Sequence, residues 1–228
     1  MGNIDLSKYK IHTDLIIEDN TANSNTSMYD NISVTETKKD GNYITISFSD
    51  ITDTLNREKV QKILIKEIKK ILKLNNIEET HECLVIGLGN RFSTPDSLGV
   101  KVVDNLLITK HLFKYSNVEE GIRKVSSFCP SVMAETGLES VDMIKSIIQM
   151  VKPDFVIVID ALASSSIERV NKTIQMTDAG INPGSGIGNK RKEVSSDTLG
   201  IPVIAITAVE YSDYLKTKHK DGVKLKDV

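Results

Sequence analysis

Two aspartates in this chain each stand at the end of an apolar segment rich in β-branched residues. Asp96 follows Leu84-Val-Ile-Gly-Leu-Gly-Asn90 within Thr94-Pro-Asp96, and Asp160 closes Phe155-Val-Ile-Val-Ile-Asp160. In an open parallel sheet, ligands and chemistry gather beyond the carboxyl ends of such strands, where the strand order switches direction. Two carboxylates brought together there cannot both ionise cheaply. One keeps a proton while the other acts as base on water. The same spacing also suits one reactive aspartate and a second that caps the following helix. Spacing alone leaves both readings open.

The other motifs narrow the chemistry. Gly87-Leu-Gly89 after a strand resembles the start of a dinucleotide-binding turn, but Phe92 occupies the third glycine position. No acidic residue appears in Lys110-His-Leu-Phe-Lys114, where a ribose ligand would be needed, so a nicotinamide cofactor is not expected. These glycines instead let the chain turn tightly, so that Asp96 sits over the sheet. Pro183-Gly-Ser-Gly-Ile-Gly188 lacks the Gly-Lys-Ser/Thr of a phosphate loop, since Asn189 follows Gly188. Gly184, Ser185, Gly186, Gly188 and Asn189 form either an anion nest, with oxyanion-type donors for a substrate, or a plain surface loop. His12, His81, His111 and His219 show no metal-ligand spacing, and no Gly-x-Ser-x-Gly elbow surrounds Ser164-Ser-Ser166 or Ser185. Neither a metal nor an organic cofactor is expected.

The elements that must position these groups follow from pattern. The chain has 228 residues, 39% hydrophobic and 26% charged, enough for one large domain with a sizeable core. A formal net charge of -2 gives no global attraction to nucleic acid or an anionic membrane. Cys83 and Cys129 lack Cys-x-x-Cys spacing and read as buried thiols of a reducing compartment. No apolar run reaches the roughly 18 residues that cross a bilayer, so a soluble, cytoplasmic protein is expected. Ile11 to Glu18 is a compact patch suited to pairing with a sheet edge, and Asp19 to Ser27 reads as a flexible loop. Ile44, Ile46 and Phe48 alternate as in a half-buried strand, and Val60 to Leu72 repeats at helical spacing. Strands at Leu84 to Leu88, Phe155 to Asp160 and Val203 to Ile206 alternate with helices from Leu98 to about Leu107 and from Leu138 to Val151. A short helix is expected near Ile167 to Val170. This order predicts an α/β protein, a three-layer sandwich with a mostly parallel central sheet.

Longer stretches resemble the germination protease (spore protease) family. They are Gly87 to Asn90 with Thr94 to Gly99, Asn105 to Phe113, Lys152 to Ala163, Glu168 to Asn171, Thr173 to Lys192, and Thr198 to Ala205. The resemblance implies an atypical aspartic endopeptidase that degrades small acid-soluble spore proteins during germination, in the cytoplasm of the forespore or spore core. It implies a fold akin to hydrogenase-maturation peptidases, catalysis by Asp96 and Asp160, and a homotetramer. It also implies a zymogen whose propeptide, residues 1–14, is removed by a cut between Asp14 and Leu15, leaving 15–228 as a single peptidase-like domain. The family usually carries Arg at Ser165, His at Asn182 and Gly-Val-Met-Gly at Ser131-Val-Met-Ala134. It also continues into a long C-terminal region where this chain reads Thr207 to Tyr214 and stops at Val228. Those departures imply a second reading, a weak or inactive paralogue that binds spore proteins or modulates the full-length protease.

Overall fold

A computed structural model describes residues 13–19, 21–115, 118–184 and 192–212. One eight-stranded sheet runs through it, in the order β1-β2-β3-β7-β8-β6-β4-β5. In chain order the strands are β1 (Asn23–Tyr29), β2 (Ile32–Lys38), β3 (Asn42–Ser47), β4 (Cys83–Gly87), β5 (Val125–Phe128), β6 (Phe155–Ser164), β7 (Thr173–Thr177) and β8 (Val203–Ser212). The helices are α1 (Thr54–Leu74), α2 (Leu98–Asp104), α3 (Leu112–Tyr115), α4 (Met133–Thr136), α5 (Ser140–Val151) and α6 (Ser196–Leu199).

Strand alternation sends neighbouring side chains to opposite faces and so builds two cores. Val85, Phe155 and Ile159 join Val60 and Ile71 of α1 and Val102 of α2 on one face. Leu84, Ile86, Val156 and Val158 meet Val141 and Ile144 of α5 and Leu199 of α6 on the other. The result is the expected α/β sandwich, with helices covering both faces of the sheet. Parallel pairing is confined to β5, β4, β6 and β8, while the other neighbours pair antiparallel. For β1, β2 and β3 the reason is local: they are joined by hairpin loops too short for a crossover.

The helix boundaries have identifiable causes. Asp53 caps α1 by accepting from the N–H of Leu55. At the end of α5, Lys152 turns left-handed at φ 52°, immediately before Pro153. The loop expected over Asp19 to Ser27 is overturned: residues 23–29 form β1. All seven of its side chains are exposed, so no apolar period marks the strand. Hydroxyl pairs join it to β2 instead, Ser24 to Thr37 at 2.8 Å and Thr26 to Thr35 at 2.9 Å. Among the described residues, no helix is long and apolar enough to cross a membrane. Cys83 is buried and Cys129 half-buried, both unbridged. Burial pushes the Cys83 thiol up to about 12 and raises that of Cys129, so neither is poised as a nucleophile.

Candidate active site

The strand order reverses between β4 and β6. From β4 the chain passes through α2, on one face, to β5; it then passes through α5, on the opposite face, to β6 on the far side of β4. A crevice opens beyond the carboxyl ends of two strands whose connections leave in this way. β4 stops at Gly87, in register with Ile159, and the next residue of β6 is Asp160. The Asp160 carboxylate therefore sits at the first position that β4 no longer covers.

Glycines bring the second carboxylate to the same place. A Cβ on Gly99, in the first turn of α2, would lie 2.6 Å from the Leu88 nitrogen and would collide with the Ile159 carbonyl oxygen. The helix thus lies directly on the strand ends. Gly89 has φ +105°, and a Cβ there would run into the Asp96 carbonyl oxygen. The turn is closed by the Asn90 N–H, which donates to the Asp96 carbonyl at 2.8 Å and to Asp96 Oδ2 at 3.0 Å. Asp160 accepts from the N–H of Ala161 at 2.9 Å. Asp96 and Asp160 line one small cavity of about 50 Å³, together with Gly184 and with Ser140 at the start of α5. Partial positive charge at that helix N-terminus favours anions in the cavity.

Asp160 also lines a second cavity of about 200 Å³, whose walls include Asp14, Tyr43, Gln175 and Asn182. The N-terminal patch reaches it by lying on the α5 face of the sheet rather than at an edge. Leu15 is 2% exposed and packs on Leu162 and Val209. Burial of one leucine outweighs the few main-chain bonds an edge position would offer. The Asp14 N–H donates to the Ala163 carbonyl at 3.2 Å. The Gln175 amide grips the same stretch twice: its Oε1 accepts from Ile16 N–H at 2.8 Å, and its Nε2 donates to the Asp14 carbonyl at 3.3 Å.

Farther along, the Glu18 carboxylate accepts from Ser164 Oγ at 2.7 Å and from the Ser165 N–H at 2.9 Å, and it pairs with Arg169 Nε at 3.0 Å. Burial alone would raise its pKa, but hydrogen bonds from Thr13, Ser164 and Ser165 outweigh burial and hold it below the ordinary value. Position 165 therefore faces Glu18.

Of the residues singled out from sequence, Asp96, Asp160 and Gly184 meet at one cavity, and Asp14 meets Asp160 at the next. Ser185, Gly186, Gly188 and Asn189 lie outside the described residues. Gln175 and Glu18 were not singled out. Gln175 alternates with the buried Met176 in β7, a pattern that in sequence marks a solvent-facing position. Among the described residues, no group of three or more His, Cys, Asp or Glu could hold a metal ion.

Fold and site together define an α/β protein with a two-carboxylate crevice at a strand-order switch point. The germination protease family profile matches residues 8–215, and the chain belongs to that family. It is 53% identical to the germination protease of Bacillus subtilis (strain 168) over 173 residues, 74% of this chain and 47% of the relative. Against the germination protease of Geobacillus sp. (strain WCH70) it is 56% identical over 173 residues, 74% of this chain and 46% of the relative. With that of Bacillus cereus (strain B4264) it shares 46% identity over 232 aligned residues, 89% of this chain and 63% of the relative. The chain spans about half the length of the first two of these curated relatives. A NiFe hydrogenase maturation protease, HycI from Thermococcus kodakarensis KOD1, aligns with TM-score 0.33 and 16% identity, covering 62% of this chain and 86% of that one.

Proposed function

We propose that this chain is an endopeptidase in which Asp96 and Asp160 act as a proton-sharing pair. One carboxylate takes a proton from water, whose oxygen bonds to the peptide carbonyl carbon. The protonated partner hydrogen-bonds the carbonyl oxygen, then gives its proton to the departing amine as the C–N bond breaks. The observation that carries this reading is that both carboxylates line one cavity at the switch point. Asp14 at the adjoining cavity fits a cut between Asp14 and Leu15 that removes residues 1–14 as a propeptide. The substrates are small acid-soluble spore proteins, met in the cytoplasm of the forespore or spore core, and the working form is a homotetramer.

Incubation of the purified protein with an acid-soluble spore protein tests this. Wild type should degrade it at least about 10²-fold faster than Asp160→Asn; equal rates overturn the assignment. One observation favours a second reading: Asn182, at a position where the family usually has His, stands in the wall shared by Asp160 and Asp14. On that reading the chain binds spore proteins without cutting them, and stoichiometric binding with no turnover by wild type would select it.

A further inference from the structure

We infer that Gln175 reads the main chain of the peptide bond to be cut, polarising its carbonyl group and fixing its register. The inference rests on the hydrolytic reading above and on the Asp14–Leu15 cut. Asp14 stands in the cavity that Asp160 also lines, and Leu15 after it docks on Leu162 and Val209. The carbonyl that accepts from Gln175 Nε2 belongs to Asp14, the acyl side of that bond. The N–H that donates to Gln175 Oε1 belongs to Ile16, the second residue after it. One planar amide thus touches both sides of the junction.

The side chain is built for this position. Gln175 is 3% exposed and sits in a strand flanked on both sides, in register with Thr45 of β3 and Thr207 of β8. Its own carbonyl accepts from Thr207 Oγ1 at 3.2 Å, which steadies the backbone beneath the amide. At 3.3 Å the bond to the Asp14 carbonyl is long for a ground-state contact. It strengthens as that oxygen gains negative charge during attack by water. A fixed donor of this kind favours the transition state over the bound peptide. Once residues 1–14 leave, Ile16 stays in the chain and only Gln175 Nε2 loses its acceptor, at the cavity it shares with Asp160. A buried donor left without an acceptor is costly, so the site favours a new peptide carbonyl there. The ligand class is a peptide main chain whose carbonyl, on the acyl side of the bond to be cut, accepts from Nε2.

Processing of the full-length chain at Asp14–Leu15, followed by mass spectrometry, separates the possibilities. Gln175→Met should slow the cut by about 10²- to 10³-fold. The substrate-side variant Ile16→Pro removes the N–H along with the buried isoleucine side chain. Its conformation is allowed, because Leu15 is already extended at φ -88°, ψ 115° and residue 16 begins a 3-10 turn. It should slow processing at least about tenfold, while Ile16→Val, which keeps the N–H, should process normally. Combining Gln175→Met with Ile16→Pro should give a loss smaller than the product of the two single losses, since they share a contact. That shortfall shows that both losses run through one contact, and unchanged exchange protection of the Asp14 amide in Gln175→Met would show that the loss lies in cleavage rather than in docking.

Asp160→Asn distinguishes the two levels of the proposal. If it stops processing while Gln175→Met, folded by circular dichroism, runs at the wild-type rate, the role of Gln175 is overturned and the two-aspartate reading stands. Equal rates in wild type and Asp160→Asn overturn both. Fully multiplicative losses in the double variant also overturn the assignment of Gln175.

Discussion

The two halves of the sheet are stabilised differently. Every residue of β4 is buried, as are Val156, Val158, Val203 and Ile204 at the hearts of β6 and β8. Those parallel strands are clamped between helices, and glycine contacts hold the loop after β4. At the other end β1 is exposed along its whole length, and β2 buries mainly alternate residues. Asp96 and Asp160 belong to the first half, where positions are set by backbone contact. The antiparallel half contributes a wall, through Tyr43 of β3 and Gln175 of β7. Placement of the two aspartates and contact with the N-terminal segment thus fall to different strands.

Substitutions can test that division, and we rank them by expected effect. Gly99→Val should be the most damaging, because its side chain would press on main-chain atoms of Ile159 in β6 and of Leu88 just past β4. We expect a loss above about 4 kcal/mol or failure to fold, read by chemical denaturation; near-wild-type stability would show that α2 does not lie on the strand ends. Ile86→Ala, in the parallel core, should cost about 2–5 kcal/mol by the same measurement.

Glu18 gives a smaller and pH-dependent effect. Its folded pKa is depressed, so its contribution to docking is complete above the ordinary glutamate value of about 4.3. That contribution is lost as pH falls through the lower folded value. Hydrogen-exchange protection factors at the amides of Asp14 and Ile16, taken relative to the intrinsic rate at each pH, should therefore fall on acidification. Glu18→Gln should raise exchange about tenfold at neutral pH and flatten the pH dependence. Unchanged exchange would separate Glu18 from docking. Thr26→Ala, on the exposed strand, should shift stability by less than about 0.5 kcal/mol. A loss as large as that of Ile86→Ala would erase the contrast between the halves.

The same contrast explains what could be read without coordinates. Leu84 to Gly87 and Phe155 to Asp160 announce themselves because strands buried on both sides need unbroken apolar residues. β1 is invisible to that logic, since Asn23 to Tyr29 carry no alternation and are held by hydroxyl pairs and main-chain bonds. β7 shows why Gln175 escaped notice. A polar residue between Ile174 and Met176 reads as solvent-facing, and only the arrival of residues 13–16 makes that face an interior.

The amino-acid order by itself determined the α/β class, the two strand-end aspartates and the glycines that must lie close to backbone, because each depends on local periodicity or on the missing volume of a side chain. Tertiary structure alone decided that Asp96 and Asp160 share a cavity, that β4 stops one residue short of Asp160, and that Leu15 docks over Leu162 and Val209. Those outcomes depend on strand order and on which face a distant segment covers. Such relations join residues far apart in the chain, and no local pattern encodes them.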